Sequence, residues 1–343
     1  MRALVLHQPG QIRLEDLPEP QVPGGWALVR PRLVGICGSD LHAYTGHQPF
    51  AHFPIVPGHE FVGEIVRLPR GVPPRVPGRN AAASLRPGMR VVADPAVPCG
   101  QCRACRTGHY NVCANQQVLG VHLPGAMAEL VAVRTDCLNI VPDVLSDEAA
   151  VLAEPLSIGL QGCNRGRIGP EDRVAVVGGG MIGASVLLQA RLRGARVAMV
   201  EPRQDRAEKL ADLGAQLTIP PSEAEDVLGR WDDGPTVIVE AAGRRDTLDL
   251  ALRLAQPMSR VVVLGFWPEQ VQIPGAAIMR GELEVLGSRL HGATMAVTLA
   301  QMAAGMLETS GILETTAPLE EGPALFEALS KGAEPGLKVV LEV

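Results

Sequence analysis

The sequence predicts an α/β protein of two domains, an antiparallel, barrel-like domain followed by a doubly wound parallel sheet. Three observations carry this. The chain has 343 residues, which at roughly 150 residues per domain gives about two. Up to about Pro142, short β-like stretches are broken by Pro and Gly. Beyond about Ser146 the rhythm changes to apolar strand, glycine turn and helix in succession, which implies a parallel sheet covered by helices.

In chain order, the first region offers Ala3-Leu4-Val5-Leu6, Trp26-Ala27-Leu28-Val29-Arg30, Phe61 to Val66 and Arg90-Val91-Val92 as strands. Between Leu68 and Pro87 lie Pro69, Pro73, Pro74 and Pro77, with Gly71, Gly78 and Ala81-Ala82-Ala83. That composition predicts an exposed loop rather than core. The second region offers strands at Arg173–Val177, Ala195–Val200, Thr236–Glu240, Arg260–Leu264 and Leu283–Leu286. From His291 the pattern returns to amphipathic helix and ends in the apolar run Lys338–Val343, a strand expected to rejoin the first domain. The expected division is therefore 1–155, 156–290 and a return segment 291–343.

Composition narrows the class. Charged residues make up 20% and hydrophobic residues 46% of the chain, close to averages for globular proteins and far from those of disordered chains. Lys and Arg number 31 against 37 Asp and Glu, a net charge of −6, and no basic stripe appears. Nucleic acid is not an expected partner. The longest apolar runs, such as Val261-Val262-Val263-Leu264, fall far short of the roughly 20 residues of a membrane helix. Met1-Arg2-Ala3-Leu4-Val5 shows no charged-then-apolar leader, so a cytoplasmic protein is expected. The seven cysteines then point to metal or catalytic use rather than disulfides.

Val177-Gly178-Gly179-Gly180-Met181-Ile182-Gly183 follows an apolar strand and opens a helical run, the context a dinucleotide-binding turn requires. Gly178 allows the tight turn, Gly180 lets backbone approach a pyrophosphate, and Gly183 lets helix pack on strand. Glu201 ends the next strand about 20 residues on, where an acidic side chain accepts from the adenosine ribose and repels a 2′-phosphate. NAD is favoured over NADP. Arg203 and Arg206 follow closely, and either could instead attract that phosphate.

Cys99, Cys102, Cys105 and Cys113 give four thiols inside a glycine-containing loop, at about 95–115. Four thiolates close a tetrahedral zinc site that holds a loop in place of a hydrophobic core. A closed site has no open coordination position, so it is structural. A second set is dispersed: Cys37 in Gly35-Ile36-Cys37-Gly38-Ser39-Asp40-Leu41-His42, His59 and Glu60 after Gly58, and Glu154 before Pro155-Leu156. By spacing alone each of these residues reads as packed or exposed. Cys137 and Cys163 have no partners in sequence and are expected in the core.

These landmarks, taken in order, resemble the zinc-containing medium-chain dehydrogenase/reductase superfamily along essentially the whole chain. Glu154-Pro155-Leu156-Ser157 is similar to the polyol (sorbitol) and threonine dehydrogenase branch, and Gly46–Phe50 with Leu119–His122 is similar to members acting on sugar acids such as gulonate or galactonate. The resemblance implies a GroES-like N-terminal catalytic domain and a Rossmann NAD-binding domain. It implies a catalytic zinc held by Cys37 and His59 with a carboxylate from Glu60 or Glu154, beside a structural zinc on the four cysteines. It further implies that Ser39 takes the hydroxyl proton, that His42 delivers it to solvent, and that Asp40 orients the site. Met181, Ile182 and Arg206 join the glycine turn and Glu201 as cofactor-binding residues. Tyr44 either lines the substrate pocket or packs.

The implied activity is oxidation of a secondary hydroxyl on a polyol or sugar acid to a ketone, with threonine and vicinal diols such as butanediol as other substrates of the same class. A zinc-lobed, NAD-binding sensor without turnover is the reading from a different class, and an open ligand set with a proton exit argues against it. The resemblance also implies a homodimer or homotetramer, built by pairing the edge strand near Leu283–Leu286. Two departures from the family pattern, the long Pro-rich stretch and Pro124-Gly125-Ala126, are expected to lie away from the chemistry.

Overall fold

A computed structural model describes residues 1–68, 77, 79, 85–267, 270–333 and 336–343. The chain divides into two compact units. One comprises Met1–Glu154, Met295–Ala304 and Thr309–Val343, and the other Pro155–Thr294 with Gly305–Glu308. The return to the first unit thus begins at Met295 rather than His291.

The first unit opens with the antiparallel hairpin β1 (Arg2–Gln8) and β2 (Gln11–Asp16). Its main sheet contains β3 (Trp26–Ile36), β4 (Glu60–Arg67), β5 (Arg90–Ala93), β8 (Val131–Arg134) and β9 (Leu138–Ile140). The two-residue strands β6 (Ala96–Val97) and β7 (Gln117–Val118) pair with each other and flank the four-cysteine loop. The central strand β3 pairs with β4 and β8, and it is apolar on both faces over much of its length, with Ala27, Val29 and Val34 fully buried. Burying both faces suits a strand that other elements cover completely.

The second unit is the doubly wound sheet. Its strands are β10 (Arg173–Val177), β11 (Arg196–Val200), β12 (Leu217–Ile219), β13 (Val237–Glu240), β14 (Arg260–Val263) and β15 (Glu284–Gly287), all parallel, in the spatial order β12-β11-β10-β13-β14-β15. The order reverses between β10 and β13, the topological switch point at which such sheets bind ligands. Five of the six strands follow the expected runs. The sixth, β12, is three residues long and half-buried at the sheet edge, too short to show as an apolar run.

The chain then contributes β16 (Leu313–Pro318) and β17 (Lys338–Glu342) to the first unit, where β17 pairs antiparallel with β3. Among the described residues no helix is long and apolar enough to cross a membrane.

The Pro-rich stretch corrects an expectation. Most of it, including Pro69, Pro73, Pro74, Gly71, Gly78 and Ala81–Ala83, lies outside the described residues. Pro77 is exposed as expected, but Leu85 is buried and the Arg79 side chain is only 1% exposed. Arg79 Nη2 lies 3.0 Å from Asp94 Oδ2, Nη1 donates to Cys137 Sγ at 2.8 Å, and the guanidinium sits 4.2 Å from the Tyr110 ring centroid. Asp94 in turn accepts from Tyr110 Oη at 2.8 Å and from the Ala96 amide at 2.9 Å. A guanidinium with a carboxylate and a ring face to satisfy it can be buried where its loop would otherwise be exposed. Cys137 and Cys163 are both fully buried.

Candidate active site

The first ligand set is built by the turn from β3 into α1 (Gly38–Tyr44) and by the entry to β4. Cys37 is the residue before α1, in extended backbone. Asp40 closes that turn: its Oδ2 accepts from the Cys37 amide at 2.9 Å and its Oδ1 from the Gly58 amide at 3.4 Å. One buried carboxylate thereby ties the cysteine turn to the segment carrying His59. Ligand atoms of Cys37, His59 and Glu60 all lie within 4.8 Å of one another.

His59 is oriented from both sides. Its Nδ1 lies 3.6 Å from Asp40 Oδ1, and its Nε2 lies 3.5 Å from Ser39 Oγ. Burial alone would depress the imidazole, but the Asp40 carboxylate and the Cys37 thiol outweigh it and hold His59 well above its usual value. Backbone neighbours pin the same corner. Gly58 has φ +95°, and the Ala126 amide donates to its carbonyl at 2.8 Å while Gly125 donates to Val56 at 2.7 Å. The Pro124-Gly125-Ala126 segment therefore abuts the histidine turn, against the expectation that it lies away from the chemistry. A Cβ on Gly125 would stand 2.3 Å from the Gly58 carbonyl, which is why the close approach needs glycine.

Glu154 is not a member of this group. It is buried in the first turn of α4 (Ala153–Arg165), where a carboxylate is favoured by the amides of a helix start. Of the two carboxylates weighed from sequence, the trio includes Glu60. Ser39 and His42 occupy positions three residues apart on α1, neighbours on one helix face. His42 is solvent-accessible, yet partial burial and the nearby His47 lower its pKa. Tyr44 packs against Phe326, with ring centroids 5.7 Å apart.

The second set is Cys99, Cys102, Cys105 and Cys113, whose sulfurs also fall within 4.8 Å of one another. Thiolates about 2.3 Å from a zinc at tetrahedral angles lie about 3.8 Å apart. The Cys102 sulfur is 3.5 Å from that of Cys105 and 3.9 Å from that of Cys113, so the loop fits the ion. Backbone amides of Cys105 and Ala114 lower the Cys102 thiol to about 6, whereas burial pushes Cys105 up to about 12.

The glycine turn shows a separate geometry in the second unit. Gly178 has φ +105°, and a Cβ there would stand 2.8 Å from Ala242, which follows β13. A Cβ on Gly183 would collide with the Gly178 carbonyl at 1.9 Å. Gly180, before α5 (Met181–Leu192), faces open space. Two glycines are thus demanded by packing, and the third leaves room at a helix N-terminus, where amides attract an anion. Glu201 is buried: Oε2 accepts from the Gly179 amide at 2.8 Å and Oε1 from the Arg203 amide at 3.1 Å. Arg206 lies 3.6 Å from Glu201, and Arg203 pairs with Asp205 at 2.6 Å.

Reasoning from sequence missed one charged neighbour. Lys338, on β17, is buried and donates from Nζ to Glu60 Oε2 at 2.5 Å. Its position in an apolar terminal strand was the available signal, since a lysine buried in such a strand needs an anion.

A barrel-type unit with two cysteine-containing ligand sets, joined to a doubly wound sheet with a glycine turn, defines the architecture of a zinc-type alcohol dehydrogenase. Comparison agrees. Residues 23–143 match the alcohol dehydrogenase GroES-like domain and residues 182–305 the zinc-binding dehydrogenase domain. The chain belongs to the zinc-containing medium-chain dehydrogenase/reductase superfamily and is an oxidoreductase of alcohol dehydrogenase type. It is 34% identical over 295 residues to L-galactonate-5-dehydrogenase of Escherichia coli K12, covering 84% of this chain and 83% of that protein. It is 30% identical over 353 residues to sorbitol dehydrogenase of Bacillus subtilis 168, covering 99% and 97%. Two solved structures superpose over 100% of this chain and 99% of their own. An alcohol dehydrogenase of Escherichia coli CFT073 complexed with NADH gives a TM-score of 0.92 at 29% identity, and a protein of Sinorhizobium meliloti 1021 bound to NADP gives 0.89 at 30%.

Proposed function

We propose that this protein oxidises a secondary hydroxyl of a polyol or sugar acid to a ketone, passing hydride to NAD, and catalyses the reverse reduction. The observation that carries the reading is the Cys37, His59 and Glu60 trio: one thiolate, one imidazole and one carboxylate leave the open position that a catalytic zinc needs. Zinc held there supplies a Lewis acid that eases loss of the hydroxyl proton near neutral pH. The balance is one C–H bond and one O–H bond broken, a hydride gained by the nicotinamide and a proton released.

The chain's own groups do the rest. Cys37, His59 and Glu60 hold the metal, and Asp40 fixes the histidine so that Nε2 is the nitrogen turned towards the Ser39 hydroxyl. Ser39 receives the substrate proton, and His42 delivers it to solvent. Cys99, Cys102, Cys105 and Cys113 hold a second, structural zinc. In the second unit, the amides opening α5 take the cofactor pyrophosphate, and Met181 and Ile182 lie in that first turn. Glu201 favours NAD because its buried charge would face a 2′-phosphate. Arg206 is tied to Glu201, which weakens its claim as an anchor for that phosphate.

The substrate class rests on the similarity to L-galactonate-5-dehydrogenase and sorbitol dehydrogenase. A panel of polyols, aldonates, threonine and butanediol, read by absorbance of the reduced cofactor with NAD and NADP in parallel, tests it. NAD reduction by a polyol or aldonate supports the reading, and turnover confined to another class overturns it. Free thiols throughout the described chain suit a reducing, cytoplasmic setting. The exposed edge strand β15, with Val285 at the surface, supports assembly into a dimer or tetramer. Light scattering reporting a monomeric mass would refute that assembly.

A further inference from the structure

The Lys338 ammonium has no role in the mechanism above, yet it is among the most deliberately placed charges in the first unit. The residue is 4% exposed, and its Nζ donates to Glu60 Oε2 at 2.5 Å and to the Ile36 carbonyl at 3.2 Å. Strand register explains how it reaches there. On one side of β3, Val339 faces Ile36 and Val340 faces Gly35; on the other, Gly35 faces Glu60. The lysine side chain crosses β3 beside its glycine. A Cβ on Gly35 would stand 2.4 Å from Glu60 Oε2, so Gly35 opens the window through which the two charges meet.

We propose that Lys338 is a positioning residue for the metal centre: it holds the Glu60 carboxylate through Oε2, and its charge limits how tightly the site would grip a divalent cation. This rests on the reading of Cys37, His59 and Glu60 as that centre. A lysine and a metal ion compensate the same carboxylate. Without the lysine, the metal-free protein keeps a buried carboxylate with no cation, which is strongly destabilising. The metal-loaded protein keeps its compensating charge. The loss therefore falls on one form and not the other, which a general packing role would not produce.

The experiment compares wild type, Lys338→Met, Lys338→Arg and Cys37→Ala. Melting temperatures are recorded zinc-loaded and after chelator treatment, and zinc affinity is measured by chelator competition. Lys338→Met is expected to widen the gap between loaded and stripped forms and to bind zinc at least tenfold tighter, while Lys338→Arg keeps both near wild type. Equal lowering of both forms by Lys338→Met, with unchanged zinc affinity, would overturn the proposal. If Lys338→Met does not accumulate folded, Lys338→Gln removes the charge while keeping a donor and carries the same comparison. Cys37→Ala separates the two claims. The four-cysteine zinc contributes to the gap in every variant, so only the change on removing Cys37 is read: if the gap in Cys37→Ala is as wide as in wild type, the metal-centre reading itself fails; if it narrows and Lys338→Met changes nothing, only the role of Lys338 fails.

Discussion

Asp40 Oδ1 stands 3.6 Å from His59 Nδ1 while the other oxygen of the same carboxylate accepts from the Cys37 amide at 2.9 Å. One side chain therefore sets the orientation of two groups of the proposed metal site that are 22 residues apart in sequence.

Asp40→Ala should therefore weaken zinc at the Cys37 site by about 10–100-fold, the usual cost of losing such a supporting carboxylate. Zinc on the four cysteines should be unaffected. Metal content after graded chelator dialysis checks both, and undiminished zinc at the Cys37 site would show that Asp40 only caps α1.

Glu201→Gln should shift cofactor preference. The amide keeps an oxygen for the Gly179 or Arg203 N–H but removes the charge that would oppose a 2′-phosphate. A relief of about 1.4 kcal/mol is tenfold, so kcat/KM with NADP should rise by about that factor, with a smaller loss for NAD. An unchanged ratio of the two would remove Glu201 as the determinant.

His42 should govern proton release. Its lowered pKa, from partial burial and then from His47, leaves the ring neutral and able to accept a proton at pH values where an ordinary imidazole is already charged. His42→Gln should slow turnover at pH 7 by about 100-fold, within the range for loss of a proton-transfer group, with recovery as pH rises. His47→Asn removes the like charge and should move the acidic limb of the pH–rate profile to higher pH. A profile identical in wild type and both variants would exclude the His42 route.

Arg79→Ala should destabilise the region beneath the four-cysteine loop. Asp94, 3% exposed in the intact protein, would lose its cation, and breaking a buried pair costs about 3–5 kcal/mol. Its bonds from Tyr110 and Ala96 place the cost at the lower end. The measurement is the urea midpoint together with the rate of zinc loss from the cysteine loop, and both should worsen.

Much of this was legible where the signal is local. The run Arg173–Val177 with its glycine turn, and four cysteines within 15 residues, carry their geometry in their spacing. Lys338 and Glu60 are 278 residues apart, and only strand register joins them. Arg79 was hidden because a loop composition says nothing about one side chain turned inward. Gly125 looked peripheral because its approach to Gly58 is made by backbone, across 67 residues. Nothing in the sequence separates Glu60 from Glu154 as a candidate ligand; in the structure one lies beside His59 and the other in the first turn of α4.

The central claim is that the Cys37 site holds the metal that does the chemistry while the Cys99 site only holds the fold. Zinc content and NAD-dependent turnover measured together on wild type and Cys37→Ala test it most directly. The account predicts one zinc for each ligand set in wild type, and in Cys37→Ala a folded protein that keeps the zinc of the four cysteines and loses turnover. Cys37→Ala protein that still reduces NAD at the wild-type rate would contradict it.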